Sequence, residues 1–298
     1  MTTVAVLGLG RMGSAMARTL AGGGLGLVLW NRSPEPARIL ADELGAESVA
    51  SPAMAAQRAV ICLTMLADEA AVAATYGGPD GLIAGARGDN VLVDLSTVPP
   101  STILGLEAAV RGTGAGLLDA PVSGSVATAT SGQLTLMVGG EAGDLERARP
   151  ALEPLARRIF HLGPLGSGAA MKLAVNAVVF GLNGALAEGL VLAERAGIDR
   201  NTAYDVLVES AAGAPYVGYK RGSFVVPEST PTAFALALAE KDLRLITAFA
   251  DGLGVPVPQA RTNLDTIRQA ESSQGADADL AAVAGHLRAE SVAPRGRT

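Results

Sequence analysis

The chain reads as an α/β protein: a doubly wound parallel sheet followed by an all-helical second domain. Three observations predict this. In the first half, short apolar runs alternate with helix-like segments. A glycine-rich stretch, Gly8-Leu9-Gly10-Arg11-Met12-Gly13, joins the first run to the first helical pattern. Beyond residue 163 the strand-like runs stop and helical spacing takes over. The expected boundaries are 1–163 and 164–298, with one long helix over about 167–196.

The strand-length runs are Val4–Leu7, Leu27–Trp30, Ala59–Leu66, Val91–Leu95, Gly116–Leu118, Leu134–Val138 and Ile159–His161. Several are rich in Val, Ile or Leu without polar alternation, which suits parallel strands covered on both faces. Ser14–Ala21, Pro36–Leu44 and Ala67–Ala74 read as the helices between them. In the second half, Ala169–Ala196 has helical spacing and ends at Gly197, a natural helix stop. A helix of that length would run roughly 40 Å. Thr202–Ser210, Phe234–Leu253, Gln259–Gln274 and Asp277–Glu290 read as further helices, punctuated by Pro256 and Pro258. The tail from Ser291 is expected to fray.

Composition narrows the function. Of 298 residues, 49% are hydrophobic and 17% charged, and the mean hydropathy is +0.34. Apolar runs such as Val60–Leu66 are too short to span a bilayer, so no membrane association is expected. The sequence opens on a strand pattern without a charged leader, which predicts a cytoplasmic protein. A net charge of −6 and 3% aromatic residues argue against nucleic-acid binding. Cys62, the one cysteine, lies in an apolar run and reads as a core residue. His161 and His286 lack metal-ligand companions, so no metal site is expected. Scarce histidine leaves proton transfer to another group.

The glycine stretch has the placement that a dinucleotide needs. Gly8 permits a tight turn, Gly10 lets backbone approach a pyrophosphate, and Gly13 allows close helix–strand packing. Leu9, Arg11 and Met12 complete the turn, and the helix start offers N–H groups to phosphate. The first domain is therefore expected to be Rossmann-like. After the second run stands Asn31-Arg32-Ser33, where an NAD-preferring site carries an acid for the ribose hydroxyls. Asn31 and Ser33 can donate to a 2′-phosphate and Arg32 can add a charged pair. NADP(H) is the expected cofactor, preferred over NAD(H).

Four motifs in order resemble the β-hydroxyacid dehydrogenase family, which includes 3-hydroxyisobutyrate dehydrogenases and glyoxylate/succinic semialdehyde reductases. They are Gly8–Ala17; Asp119-Ala120-Pro121-Val122-Ser123-Gly124-Ser125 continuing to Gly132–Gly140; Gly166–Asn176; and Lys241-Asp242-Leu243. The resemblance runs nearly end to end. It implies that Lys172 is the catalytic lysine and Asn176 its companion. It implies that Ser123 and Gly124 form the turn holding a substrate carboxylate, with Ser125 beside them. Thr97 and Leu66 match positions lining the cofactor, and Lys241 matches a lysine near nicotinamide and substrate. A homodimer built by the helical half is also implied. Two positions depart from the family pattern. Ser125 replaces the second glycine of a Ser-Gly-Gly turn, and Ala177 replaces a second asparagine, so the pocket is altered.

The residues support a chemistry of their own. Lys172 and Asn176 are four apart on a predicted helix and share a face. Ala169, Ala170, Met171, Leu173, Ala174 and Val175 surround Lys172 in sequence, which predicts a buried lysine. An ammonium beside a carbonyl receiving hydride stabilises the developing alkoxide and delivers the proton. Burial or Lys241 would favour the reverse step by lowering its proton affinity. Small residues at Ser123-Gly124-Ser125 expose N–H groups to an anion, although the residues alone equally describe a plain turn. Lys241-Asp242 alone is equally a solvated helix pair, and Asp242 is left out of the catalytic set. Tyr216, Tyr219, Lys220 and Arg221 could shape a pocket or form a surface loop. The expected activity interconverts a small semialdehyde or ketoacid with its hydroxyacid. The alternatives are an imine reductase, a group that commonly has Asp or Tyr in place of Lys172, and a non-enzymatic NADP(H)-binding sensor or scaffold.

Overall fold

The computed structural model describes residues 2–291. The expected frayed tail therefore lies, beyond Ser291 itself, outside the described residues. The first half follows the order β1 (Thr3–Leu7), α1 (Arg11–Gly22), β2 (Gly26–Trp30), α2 (Pro34–Leu44), β3 (Glu47–Ser48), α3 (Pro52–Arg58), β4 (Ile61–Thr64), α4 (Glu69–Tyr76) and α5 (Leu82–Gly85). It continues with β5 (Val91–Asp94), α6 (Pro100–Gly112), β6 (Gly116–Asp119), β7 (Val122–Ser123), α7 (Val126–Thr130), β8 (Leu134–Gly140), α8 (Ala142–Leu152) and β9 (Ala156–His161). One sheet takes the order β3-β2-β1-β4-β5-β6-β8-β7, with β9 beside β8. β1 to β6 are parallel, while β8 runs antiparallel to β6 and β7.

The apolar runs become strands because both faces are covered. Val4, Val6, Leu29, Leu63 and Val93 pack on one side, and Ala5, Leu7, Val28, Cys62 and Leu92 on the other. Several helices escaped the sequence pattern for physical reasons. α3 begins with Ser51, whose hydroxyl accepts from the Met54 N–H at 3.2 Å, followed by Pro52. α6 begins at Pro100, in a Pro-Pro pair that reads as a breaker, yet proline suits a first helical position.

Tertiary contacts divide the chain between Lys172 and Leu173. The division falls inside α9 (Ser167–Arg195), a helix of 29 residues. The second unit adds α10 (Arg200–Glu209), α11 (Pro215–Tyr219), α12 (Arg221–Val225), α13 (Leu236–Leu253), α14 (Pro258–Gln274) and α15 (Val283–Glu290). α9 overturns the expectation that no segment is long and apolar enough to cross a membrane. The length of α9 is as the spacing predicts, but scattered glycines and asparagines hide its overall hydropathy from a search for short apolar runs. In the structure its Leu173, Phe180, Leu186, Ala187 and Leu190 enter the core of the helical unit, with Tyr204, Phe224, Leu243 and Ile267. The segment around Tyr216 is two short helices. The Tyr216 hydroxyl donates to Asn183 Oδ1 at 2.8 Å, and Lys220, only 3% exposed, pairs with Asp279 at 2.6 Å. These two side chains hold the interior of the helical unit together.

Candidate active site

The parallel strands β1 to β6 all end at one edge of the sheet. Their register places Trp30, Leu7, Thr64, Asp94 and Asp119 in one row across β2, β1, β4, β5 and β6. Strand order reverses between β1 and β4, the point where open parallel sheets leave a crevice for a ligand. The first-domain residues expected to bind cofactor or substrate follow this row.

The glycine turn is fixed by close packing. Gly8 adopts φ +94° and its N–H donates to the Trp30 carbonyl at 3.0 Å. A Cβ on Gly13 would lie 2.0 Å from the Gly8 carbonyl oxygen, so only glycine lets α1 start against the turn. Gly10 is the opposite case. It is exposed, and a Cβ there would meet nothing within 4 Å. Gly10 is also the N-cap of α1 and supplies no side-chain cap, so the first N–H groups of the helix are not satisfied by it. The residues thus fit a pyrophosphate: open space before Gly10 and a helix start beyond it. Leu9 and Gly13 are buried, Met12 is half-buried and Arg11 exposed.

Asn31 does something the sequence did not suggest. Its Oδ1 accepts from the Leu9 N–H at 3.0 Å, and its Nδ2 donates to the Ser33 carbonyl at 3.0 Å. The side chain is a brace between the glycine turn and the β2–α2 loop. Arg32 and Ser33 are exposed at that loop.

Leu66 and Thr97, both half-buried, follow β4 and β5. A buried polar network holds these two ends together. Asp94 accepts from Thr64 Oγ1 at 2.5 Å, and from the Ser96 N–H at 3.0 Å and Oγ at 3.2 Å. Ser96 Oγ in turn accepts from the Leu66 N–H at 2.9 Å, and Tyr76 OH lies 3.1 Å from Thr64 Oγ1. Burial pushes the Asp94 carboxyl up to about 6, against the hydrogen bonds from Thr64 and Ser96.

Ser123 and Ser125 are half-buried and Gly124 is exposed. Ser125 is the N-cap of α7 and forms a capping box with Thr128. Its N–H donates to Thr128 Oγ1 at 2.6 Å, and its hydroxyl accepts, at a longer 3.4 Å, from the Thr128 N–H. The serine that departs from the family turn therefore belongs to the helix cap.

Lys172 stands one turn into α9 and is half-buried, not buried as expected. Its neighbours in sequence are not all neighbours in space: Met171 is 41% exposed and Ala174 is also exposed, because a helix turns them outward. In the helical unit, Asn176 Nδ2 donates to Asp242 Oδ2 at 2.8 Å, and Lys241 Nζ lies 3.0 Å from Asp242 Oδ1. Asp242, only 2% exposed, gathers Asn176 and Lys241 into one cluster, so Lys241-Asp242 is not the solvated helix pair that the residues alone equally allow. Asp94 and Asp119, outside the expected site residues, hold the strand ends and the start of α9 by hydrogen bonds. The available signal was an acid closing an apolar strand run, Val91-Leu92-Val93-Asp94 and Gly116-Leu117-Leu118-Asp119. Among the described residues no cluster of His, Cys, Asp and Glu could hold a metal ion.

Known proteins share this organisation. Residues 3–163 match the model described as the NAD binding domain of 6-phosphogluconate dehydrogenase. Residues 166–287 match the one described as NAD-binding of NADP-dependent 3-hydroxyisobutyrate dehydrogenase. The chain is 33% identical to the chloroplastic glyoxylate/succinic semialdehyde reductase 2 of Arabidopsis thaliana, over 96% of this chain and 80% of that protein. It is 34% identical to a 3-hydroxyisobutyrate dehydrogenase of Pseudomonas aeruginosa, over 87% of this chain and 88% of that one. Among solved structures, Mycobacterium tuberculosis 3-hydroxyisobutyrate dehydrogenase with L-serine superposes with a TM-score of 0.84 at 32% identity, over 97% and 99% of the two chains.

Proposed function

We propose, from the premise that this chain belongs to the β-hydroxyacid dehydrogenase family of NAD(P)-dependent oxidoreductases, that it interconverts a small carboxylate-bearing semialdehyde or ketoacid with its hydroxyacid, using NADP(H) in preference to NAD(H). One observation carries the reading. The helix that bears Lys172 starts at the same sheet edge as the glycine turn and the Ser123-Gly124 turn.

The glycine turn Gly8–Gly13 and the start of α1 would hold the pyrophosphate of a nicotinamide cofactor, which would supply a hydride to the carbonyl carbon. The protein's own residues do the rest. The carbonyl π pair moves onto oxygen as the carbon gains its new bond. Lys172 Nζ, as an ammonium, stabilises that oxygen and gives it a proton, so the lysine leaves the step neutral. Asn176, one helical turn on, has its amide orientation set by Asp242. That bond from Nδ2 leaves Oδ1 as the acceptor end of the Asn176 amide. The Ser123 hydroxyl and the Gly124 N–H hold the carboxylate. In the oxidative direction Lys172 takes the hydroxyl proton instead.

Cofactor preference rests on the exposed Arg32 and Ser33 and on the lack of an acid at positions 31–33. With Arg32→Ala, NADPH should lose about 1–3 kcal/mol of affinity, the usual worth of a charged hydrogen bond, and NADH much less. Fluorescence titrations with both cofactors measure this, and equal affinity for the two in the unmodified protein would sink the assignment.

A homodimer is the second part of the proposal. On α9, Met171, Val178 and Leu192 are 41%, 64% and 73% exposed, and steps of seven and fourteen residues keep them on one face. Exposed Ala174 and Ala185 fill the positions between. Such an apolar stripe suits a copy of itself. Val178→Glu should yield monomers in light scattering of a column eluate; a wild-type monomer at micromolar concentration refutes the dimer.

A further inference from the structure

We infer that Asp119 is a positioning residue for the proton-transfer step: it sets where Lys172 stands relative to the Ser123-Gly124 turn. The inference rests on the reading of Lys172 as the proton donor.

A helix begins with backbone N–H groups that its own turns cannot satisfy, and a Ser, Thr, Asp or Asn just before the helix ordinarily caps them. Gly166, the residue before α9, has no side chain to serve as that cap, and its φ of +90° favours glycine there. The cap comes from another element. Asp119, at the end of β6 and 1% exposed, accepts from the Gly166 N–H through Oδ1 at 2.8 Å and from the Ala169 N–H through Oδ2 at 2.6 Å. Two oxygens on two N–H groups of one turn fix the rotation of the helix about its axis as well as its distance from the strand.

The backbone is packed to match. A Cβ on Gly168 would lie 2.2 Å from the Met137 carbonyl oxygen and 2.8 Å from that of Asp119. The first turn of α9 therefore rests directly on β8 and the end of β6, with no side chain between. Burial raises the pKa of Asp119, opposed by the N–H groups of Ala169, Gly166 and Gly168, the arrangement of a carboxylate held by a helix start.

The consequence lies in what flanks the two contacts. Lys172 follows Ala169 by three residues, and Ser123 follows Asp119 by four. The proton donor and the carboxylate turn are thus both referred to one side chain. Stability alone does not call for this, since a local cap would serve. An enzyme that must hold a carboxylate and a proton donor at a set separation gains from a shared anchor.

Asp119→Asn tests the idea, since the amide keeps the shape but turns an NH2 toward one of the two N–H groups. The expected result is a kcat lowered about 10- to 100-fold, as for a displacement of the order of 1 Å. The affinity for NADPH should stay within about threefold, because the glycine turn is untouched. The pH profile of kcat should shift, because the lysine meets an altered setting. Asp119→Ser, smaller and with one acceptor, should act in the same direction and serves if the asparagine variant does not fold. If either variant melts earlier but keeps kcat and the pH profile at a permissive temperature, while Lys172→Ala is inactive, the clamp is merely structural and the inference is overturned alone. If Lys172→Ala itself keeps normal turnover, the proton-donor reading falls and this inference falls with it.

Discussion

Replacing Lys172 by alanine should lower turnover on the best carbonyl substrate about 10²- to 10⁴-fold, the range for loss of a general acid. The chain offers few substitutes. His161 Nε2 is engaged with the Gly140 carbonyl oxygen at 2.8 Å, His286 Nδ1 sits 3.1 Å from Ser273 Oγ in the helical unit, and Cys62 is buried, its thiol pushed up to about 12 by that burial. NADPH binding should survive, because the glycine turn and Arg32 lie elsewhere in the chain. Lys172→Arg should rescue poorly, since a guanidinium holds its proton too tightly and has a different shape. Steady-state kinetics with a panel of semialdehydes, ketoacids and cyclic imines, beside a cofactor titration, read both quantities. Near-normal turnover in Lys172→Ala would refute the mechanism.

The largest effect on stability is expected at Lys220. Its ammonium and the Asp279 carboxylate are buried together, with side chains 3% and 13% exposed. Asp279 also accepts from the Ala233 N–H at 2.8 Å and the Ala281 N–H at 3.0 Å, which ties α12 to the segments before α13 and α15. Burial pushes the Asp279 carboxyl up, but Lys220 and these N–H groups outweigh it and hold it below the usual carboxylate range. Burial pulls Lys220 down, with Asp279 working against it. Lys220→Met keeps much of the volume and strands the carboxylate, which should cost about 3–5 kcal/mol in urea unfolding at neutral pH. The sign with pH follows from Asp279. Its depressed pKa contributes stability above the unfolded carboxylate value, and that contribution is lost as pH falls through the folded value. The gap between wild type and variant should therefore be widest near neutrality and narrow in acid. A gap independent of pH would show that the pair does not act through its charges.

The sequence made the glycine turn and the core strands legible because their function is local. Gly8 and Gly13 are needed by atoms within a few residues or on the next strand, so spacing alone conveys them. The two-residue strands β3 and β7 are too short for any pattern, and α6 was hidden by the Pro99-Pro100 pair that in fact starts it. The site was legible in its residue types and less so in its supports. Asp119 meets Gly166 and Ala169 across 47 and 50 positions, and Asn176 meets Asp242 across 66. Nothing in a linear pattern announces such pairings. The half-buried setting of Lys172 departs from expectation for a related reason: apolar neighbours in sequence are not all neighbours in space, and helix geometry sends Met171 and Ala174 outward. Ser125 stands at the third position of the turn in the family pattern, and the sequence does not show that its hydroxyl and N–H also cap α7.

The Asn31 brace bears on how cofactor choice could change over evolutionary time or under engineering. An aspartate at 31, the simplest route to an acidic ribose clamp, would still accept from the Leu9 N–H. It could no longer donate to the Ser33 carbonyl, and it would set a negative charge against the turn that receives phosphates. A shift toward NAD(H) through this position would loosen the loop while altering its selectivity. Arg32, exposed beside it, carries no share in that brace. The proposed preference for the 2′-phosphate is thus free to drift at one residue and mechanically locked at its neighbour, so the proposed path between the two cofactors starts at Arg32.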